Sequence, residues 1–326
     1  MINLFYHPGY AKRKKSNFTL NLKDSRLLHI IIDLFYIFNL AVPDRYITNG
    51  PHKLMNNLIR TFKSDKNFNF NRLVYDNTYI VQFDDFGENA LKKIIEIENS
   101  NKKVLIGPLY TFDQLKKLIN YIKQYEYINI AVASKATFDN LINDIDPSLD
   151  KKRITIMPTG VVSSKILLNA KHRIRNEKCL IYFKNREDSE LQAVKGFLNQ
   201  LNIEFDLFEY KKYNNKRLKK LSKVNRFGIL LTTTESQGFA VQEMLSCNLP
   251  LFVWDSKHAY YDDVKVSGTS VPYWDERCGV KVNNFQEFEE SFENFIKNLN
   301  KFEPSEFVNE KLTFEVVKEK IIQEFE

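Results

Sequence analysis

From residue 78 onward, apolar runs of five to seven residues alternate with longer stretches in which apolar positions recur every three or four. The short runs read as strands buried on both faces, and the longer stretches as amphipathic helices. The first series places strands at 78–83, 103–107, 127–133 and 153–157, with helices at 87–98, 112–124 and 135–143. Upstream, 2–7 (INLFYH) reads as a first strand. Asn49-Gly50-Pro51 opens a helix with Leu54, Met55, Leu58, Ile59 and Phe62 on one face, because proline is tolerated at the first helical position. A second series follows, with strands at 178–184, 203–208, 227–232 and 250–254, and helices at 187–200, 213–224, 239–247, 285–299 and 313–326. Strand–helix alternation of this kind predicts a parallel sheet covered by helices on both faces. The expected fold class is α/β, with two Rossmann-like domains facing each other across a cleft and ligand at the carboxyl ends of the strands. The expected domains are 1–165 and 178–310, joined by a basic linker at 166–177. Residues 311–326 are expected as a C-terminal helix packing back on the first domain.

One apolar run stands outside this alternation, 27–42 (LLHIIIDLFYIFNLAV), with Asp24 or Ser25 as its cap and the basic tetrad Lys12-Arg13-Lys14-Lys15 before it. At 16 residues, with His29 and Asp33 inside, it falls short of the roughly 20 apolar residues of a bilayer span. It reads as a helix buried in the core, with docking on a membrane surface as the other reading. Nineteen of 326 residues are glycine or proline, about half the usual share, which disfavours linker-dominated architecture. Three cysteines without a CxxC spacing and five scattered histidines support neither a disulfide framework nor a zinc site. Cys179 and Cys247 read as small core residues. A cytoplasmic location is expected, with peripheral membrane contact left open.

Net charge is +7, and the cluster 211–220 (KKYNNKRLKK) holds six basic and no acidic residues. It reads as a solvated helix face or as a track for a phosphate-rich partner or lipid surface. No glycine lies within three residues of another. GxGxxG, the P-loop and the GxSxG elbow therefore have no match, and phosphate would have to meet helix N-termini and basic side chains.

The stretch 227–254 (FGILLTTTESQGFAVQEMLSCNLPLFVW) carries the chemistry. A buried strand ends in Thr232-Thr233-Thr234, Glu235 follows it, and Gly238 permits close backbone approach. A helix from about Phe239 aims its N–H groups at the strand end. Glu243 lies one turn further, about 6 Å along the helix axis. Two carboxylates framing an anion-attracting helix end suit a nucleoside diphosphate bearing a sugar. A carboxylate can accept two vicinal hydroxyls, and such charge-assisted bonds are about twice as strong as neutral ones.

Glu235 and Glu243 form the E-x7-E spacing of retaining GT-B glycosyltransferases. The stretch Glu235-Ser236-Gln237-Gly238 resembles the variant found in family-4-like (GT4-like) enzymes. The resemblance extends to Tyr182-Phe183-Lys184-Asn185, Tyr210, Val271-Pro272-Tyr273 and Gly279. In the first half it takes in Asn49-Gly50-Pro51, Asn56-Asn57-Leu58-Ile59, Ile106-Gly107-Pro108, Ala133-Ser134-Lys135 and Pro158-Thr159-Gly160, so that it covers the chain from about residue 45. It implies a GT-B fold, with the first domain binding the acceptor and the second a UDP- or GDP-sugar. It gives Glu235 and Lys184 catalytic roles at the donor sugar and at the leaving pyrophosphate. Donor binding falls to Glu243 at the ribose, Arg186 at the pyrophosphate, Gly238, Phe239 and Ala240 through their N–H groups, and Tyr210 near the base. It implies no required cofactor and no metal, a glycan or lipid-linked acceptor, and retention of configuration. Gln237 replaces the more usual phenylalanine, and neither His7, His29 nor His52 matches the histidine that many relatives place in the first domain.

Asp144-Ile145-Asp146 mimics a metal-binding DxD but sits in a polar turn before Pro147, not after an apolar strand. Asp84-Asp85 reads as a helix cap or an acceptor contact. The competing functions are a nucleotide-sugar epimerase or hydrolase of the same fold, a non-catalytic sugar-binding protein, and a nucleic-acid-binding protein. No nucleic-acid-binding signature supports the last, and no nucleic acid is expected.

Overall fold

Every apolar run expected as a strand between 78 and 254 is a strand in the computed structural model, which describes residues 1–6, 35, 40–41, 50–97, 101–162, 175–210, 214–261 and 264–326. The chain divides into two units, Met1–Thr159 with Val317–Glu326, and Gly160–Val316.

The first unit carries β1 (Ile2–Phe5), α1 (Gly50–Phe62), β2 (Phe68–Phe70), β3 (Asn77–Gln82), α2 (Asp85–Glu96), β4 (Val104–Leu109) and α3 (Phe112–Gln124). It continues through β5 (Ile128–Val132), α4 (Lys135–Asn140), a π turn at Leu141–Ile145 and β6 (Ile154–Ile156). Its six strands are parallel in the order β2-β1-β3-β4-β5-β6. Ile80, Val104, Ile106, Ile128 and Ile130 pack with Leu91, Leu118 and Ile122 of the covering helices. At the carboxyl edge, α2, α3 and α4 each start on a capping side chain. Asp84 accepts from the N–H groups of Phe86 and Gly87 at 3.1 Å each, Thr111 caps α3 and Ser134 caps α4. Asp84 thus acts as the cap expected of it.

The second unit carries β7 (Cys179–Lys184), α5 (Asp188–Gln200), β8 (Phe205–Glu209), α6 (Asn215–Val224), β9 (Phe227–Thr232), α7 (Phe239–Ser246) and β10 (Leu251–Trp254). After these come the hairpin β11 (His258–Tyr261) and β12 (Val264–Ser267), then β13 (Gly279–Val282), α8 (Phe285–Lys297) and α9 (Pro304–Lys311). The main sheet is parallel in the order β13-β10-β9-β7-β8. Alternate residues serve two cores. Leu180, Tyr182, Leu230, Leu251 and Val253 face α7 and α9, while Cys179, Ile181, Ile229, Leu231 and Phe252 face an aromatic layer from α8. In that layer Phe252 lies 4.7 Å from Phe288 and 4.9 Å from Phe295, centroid to centroid. Cys179, Cys247 and Cys278 are buried and unpaired by disulfides. Burial pushes the Cys179 thiol up to about 12, which leaves it a small apolar group.

The division of the chain falls at Thr159/Gly160, earlier than the expected 165. Val161 donates its N–H to Leu312 O at 2.8 Å and bridges Thr313, which ties it to the second unit. That unit also extends past the expected 310, to Val316. α10 (Phe314–Gln323) starts there and continues in the first unit. In the first unit Lys318 pairs with Asp65, and Thr155 Oγ1 donates to Glu324 Oε2 at 2.7 Å. Of the expected linker 166–177, only 175–177 lie among the described residues. Arg175 there is no spacer: its guanidinium donates to the carbonyls of Ser222, Asn225, Cys247 and Asn248, at the ends of α6 and α7.

Five of these elements were not expected from sequence: β2, β11, β12, β13 and α9. The tetrad Lys12–Lys15 and all of the run 27–42 except Phe35, Leu40 and Ala41 lie outside the described residues, as do His7, His29, Asn49 and Lys211–Tyr213. Among the described residues no helix is long and apolar enough to cross a membrane.

Candidate functional site

Three adjacent strand ends bring the first cluster together. β8, β7 and β9 are neighbours in the sheet, and Lys184, the last residue of β7, lies in register with Thr232, the last of β9. Tyr210 follows β8 directly. Lys184 Nζ reaches Glu235 Oε1 at 2.6 Å and sits 4.5 Å from the Tyr210 ring centroid. Thr232 Oγ1 donates to the same carboxylate oxygen at 3.2 Å. Lys184, Glu235 and Tyr210, distant in sequence, are therefore one cluster.

Glu243 belongs to a second cluster one turn into α7. Its Oε1 lies 3.2 Å from Lys219 Nζ of α6, with the Glu243 side chain 5% exposed and that of Lys219 20%. Tyr182, buried and stacked on Phe208, senses residues of both clusters. Its hydroxyl is pushed well above the usual phenol range, first by burial and then by the nearby Glu235 carboxylate, with Tyr210 and Glu243 adding to the effect.

The helix start is shaped by Gly238, which caps α7 at φ +65°, ψ +44°, with no side-chain cap among the described residues. A Cβ there would lie 3.1 Å from Pro272 Cδ in a backbone conformation that side chains rarely adopt. Gln237 is buried, and its carbonyl accepts from Gln242 Nε2 at 2.5 Å, which fixes the turn. The N–H groups of Gly238, Phe239 and Ala240 thus open α7 three residues after Glu235, at a start that carries a glycine where a capping carboxylate or hydroxyl could stand.

Arg186 is placed differently from its neighbours. It forms a bidentate pair with Glu190, with Nε 2.6 Å from Oε2, donates to Trp254 O at 3.1 Å and lies over the Trp254 ring at 4.9 Å. Its fork ties the exit of β7 to α5 and to the end of β10.

Lys219 is the residue that sequence reasoning missed. It stood inside the cluster 211–220, whose described members Lys216, Arg217 and Lys220 are exposed, as a solvated helix face requires. The available signal was its place next to Leu218, which is fully buried, on the inner side of α6. In the first unit, Asp146 of the DxD look-alike pairs with Lys123 at 2.6 Å and accepts from the Ser148 N–H at 3.1 Å. Those bonds hold its carboxyl below the usual carboxylate range and make it a turn residue.

Such a constellation can hold a ligand with hydroxyls and an adjacent anion. The carboxylates accept hydroxyls, and the lysines and the end of α7 receive negative charge.

No family model matches the sequence, and no curated protein matches it in sequence. Solved structures do resemble it. AviGT4, a glycosyltransferase involved in avilamycin A biosynthesis, aligns over 99% of this chain and 96% of its own, at a TM-score of 0.56 and 8% identity. A chain of the GtfA/B complex aligns over 78% of this chain at a TM-score of 0.53 and 13% identity, and this chain spans 57% of that one. At these identities the likeness is one of fold: an α/β chain of two Rossmann-like units, as in GT-B glycosyltransferases.

Proposed function

We propose that this chain is a glycosyltransferase that takes a nucleotide sugar, UDP- or GDP-linked, as donor in its second unit and passes the sugar to a glycan or lipid-linked acceptor. One observation carries the reading. Two carboxylates, each held by a lysine, flank a helix N-terminus that starts on a glycine, with no side-chain cap among the described residues, at the carboxyl edge of a parallel sheet.

In this reading Glu243 accepts the ribose hydroxyls and Glu235 the hydroxyls of the sugar. Gly238, Phe239 and Ala240 present N–H groups to the diphosphate or the sugar, and Tyr210 borders the base. As the bond between the anomeric carbon and the phosphate oxygen breaks, negative charge builds on the diphosphate. Lys184 and the end of α7 are already in place to receive it, and preorganised charge of this kind is the largest single source of catalysis in many enzymes. The acceptor hydroxyl oxygen bonds to the anomeric carbon, and its proton passes to the leaving phosphate oxygen. Attack from the face that the phosphate leaves retains the configuration, as the family-4 resemblance implies. Fixed cations supply the neutralisation, so the proposal includes no metal. Arg186, engaged with Glu190, braces the strand ends around the site. The first unit would bind the acceptor, at the cytoplasmic face of a membrane where that acceptor is lipid-linked.

The test is thermal stabilisation by UDP, GDP and ADP of the wild type beside Glu243→Ala. A nucleotide at a hundred times its dissociation constant stabilises the folded protein by about 2.7 kcal/mol, which raises Tm by several degrees. A shift with UDP or GDP that vanishes in Glu243→Ala supports the reading and names the base. No shift with any nucleotide at millimolar concentration removes it.

A further inference from the structure

The turn that carries Glu235 is held from outside its own strand and helix. After β10 the chain passes Asp255, makes the β11–β12 hairpin and returns at Gly268, whose N–H donates to Lys257 O at 2.8 Å. The return segment lies against the motif turn: a Cβ on Gly268 would come within 2.4 Å of Thr234 Cγ2. The next two residues grip the turn at both ends. Thr269 O accepts the Glu235 N–H at 2.9 Å, and Ser270 Oγ donates to Thr232 O at 2.8 Å. Both residues are in turn held by one carboxylate. Asp255 accepts the Thr269 hydroxyl, 3.0 Å from each oxygen, and the Ser270 N–H at 2.6 Å. The Ser256 N–H adds bonds to Asp255 Oδ1 at 2.9 Å and to Ser270 Oγ at 3.1 Å, and Ser270 is fully buried.

We propose that Asp255 is a positioning residue for Glu235, acting through Thr269 and Ser270; the proposal rests on the donor-site reading above. Asp255 bonds to the two residues that clasp residues 232 and 235, and charge-assisted bonds are the strong ones in such a network. Glu235 is held on one side by its N–H to Thr269 and on the other by its carboxylate to Lys184 and Thr232. If the Thr269 carbonyl drifts, the carboxylate moves relative to Lys184 and to any sugar between them. A displacement of 1 Å in a reacting constellation costs about 10²-fold in rate. Ground-state nucleotide contacts, which this reading gives to Glu243 and the start of α7, lie outside the clasp.

The experiment compares wild type with Asp255→Asn, which keeps the shape and removes the charge, and with Thr269→Val, which keeps the carbonyl and removes the hydroxyl that Asp255 holds. Three quantities are read: turnover of UDP- and GDP-sugars, the Tm shift with UDP and GDP, and amide hydrogen exchange over residues 233–238 of the full chain. Asp255→Asn is expected to lower kcat about 10²-fold, leave the nucleotide-induced shift as in wild type and accelerate exchange over 233–238. Thr269→Val should do the same by a smaller factor, and it carries the test if Asp255→Asn does not fold. Unchanged kcat and exchange in a folded Asp255→Asn would overturn the proposal, because the carboxylate would then only close the hairpin. Loss of nucleotide affinity in step with kcat would overturn it too, since the effect would spread over the whole pocket. If the wild type neither binds a nucleotide nor turns over a nucleotide sugar, the donor-site reading has failed. Amide exchange then decides alone whether Asp255 holds Glu235.

Discussion

At the carboxyl edges of the two parallel sheets, one strand–helix junction departs from its neighbours: α6 and α8 of the second unit start on the capping asparagines Asn214 and Asn284, as α2, α3 and α4 of the first start on capping side chains, and α7 does not. In the first unit the polar residues that leave β3, β4 and β5 turn into the next helix and cap it: Asp84, Thr111 and Ser134 each accept backbone N–H groups. In the second unit, Glu235 leaves β9 and turns away from α7 toward Lys184, and α7 starts on a left-handed glycine without a side-chain cap among the described residues. A cap fills a helix N-terminus with the protein's own oxygen and adds about 1 kcal/mol of stability. An N-terminus without a side-chain cap forgoes that term and can bind an external anion instead. The same β–turn–α unit therefore serves as scaffold at the capped junctions and as candidate site at β9–α7, and the difference lies in where one side chain points.

That contrast can be broken experimentally. The largest effect is expected for Lys184→Met. Removing the cation that receives leaving-group charge should lower sugar transfer about 10²–10³-fold, and a wild-type rate would deny Lys184 any role in the chemistry. Gly238→Ala comes next. A Cβ at φ +65°, 3.1 Å from Pro272 Cδ, forces a strained backbone. The left-handed conformation costs a non-glycine residue about 1–2 kcal/mol, so Tm should drop by several degrees and the nucleotide-induced shift should shrink. Unchanged nucleotide binding would show that the α7 start is not the anion site. The smallest effect belongs to the capped junctions. Asp84→Ala should cost about 1 kcal/mol through the lost cap, a Tm decrease of a few degrees, with the nucleotide shift as in wild type. A nucleotide shift that falls in Asp84→Ala would erase the distinction between the capped junctions and β9–α7.

Much of this layout was legible from side-chain pattern alone. A strand buried on both faces must be apolar along its length, and Cys179–Lys184 and Phe227–Thr232 are so up to their last residues; an amphipathic helix must repeat its apolar positions, as Phe112–Gln124 does. The elements that escaped carry no such mark. Phe68–Phe70 is a three-residue edge strand among asparagines, fixed by its pairing with β1 and by Phe68 against Phe62. The β11–β12 hairpin interleaves charged and apolar residues over four-residue strands, too short for a periodic signal. Within the site, Glu235, Glu243 and Gly238 were visible because they are close in sequence and flank one strand–helix junction. The arrest of Arg186 by Glu190 and Trp254 was invisible, because a basic residue after a strand looks the same whether it waits for a phosphate or braces a backbone.

The sequence by itself determined the α/β alternation, the order of strands and helices along the chain and the position of the two carboxylates around a glycine turn. These follow from local periodicity and spacing, which act over a few residues. Only the tertiary structure decided which cation each carboxylate meets. Lys184 lies 51 residues before Glu235, and only the pairing of β7 with β9 brings their ends together. Lys219 meets Glu243 because α6 and α7 pack on the same face of the sheet, and Asp255 reaches the Glu235 turn only because the chain returns from its hairpin at Gly268. Strand order and helix packing bring together side chains far apart along the chain, and no local pattern records those meetings.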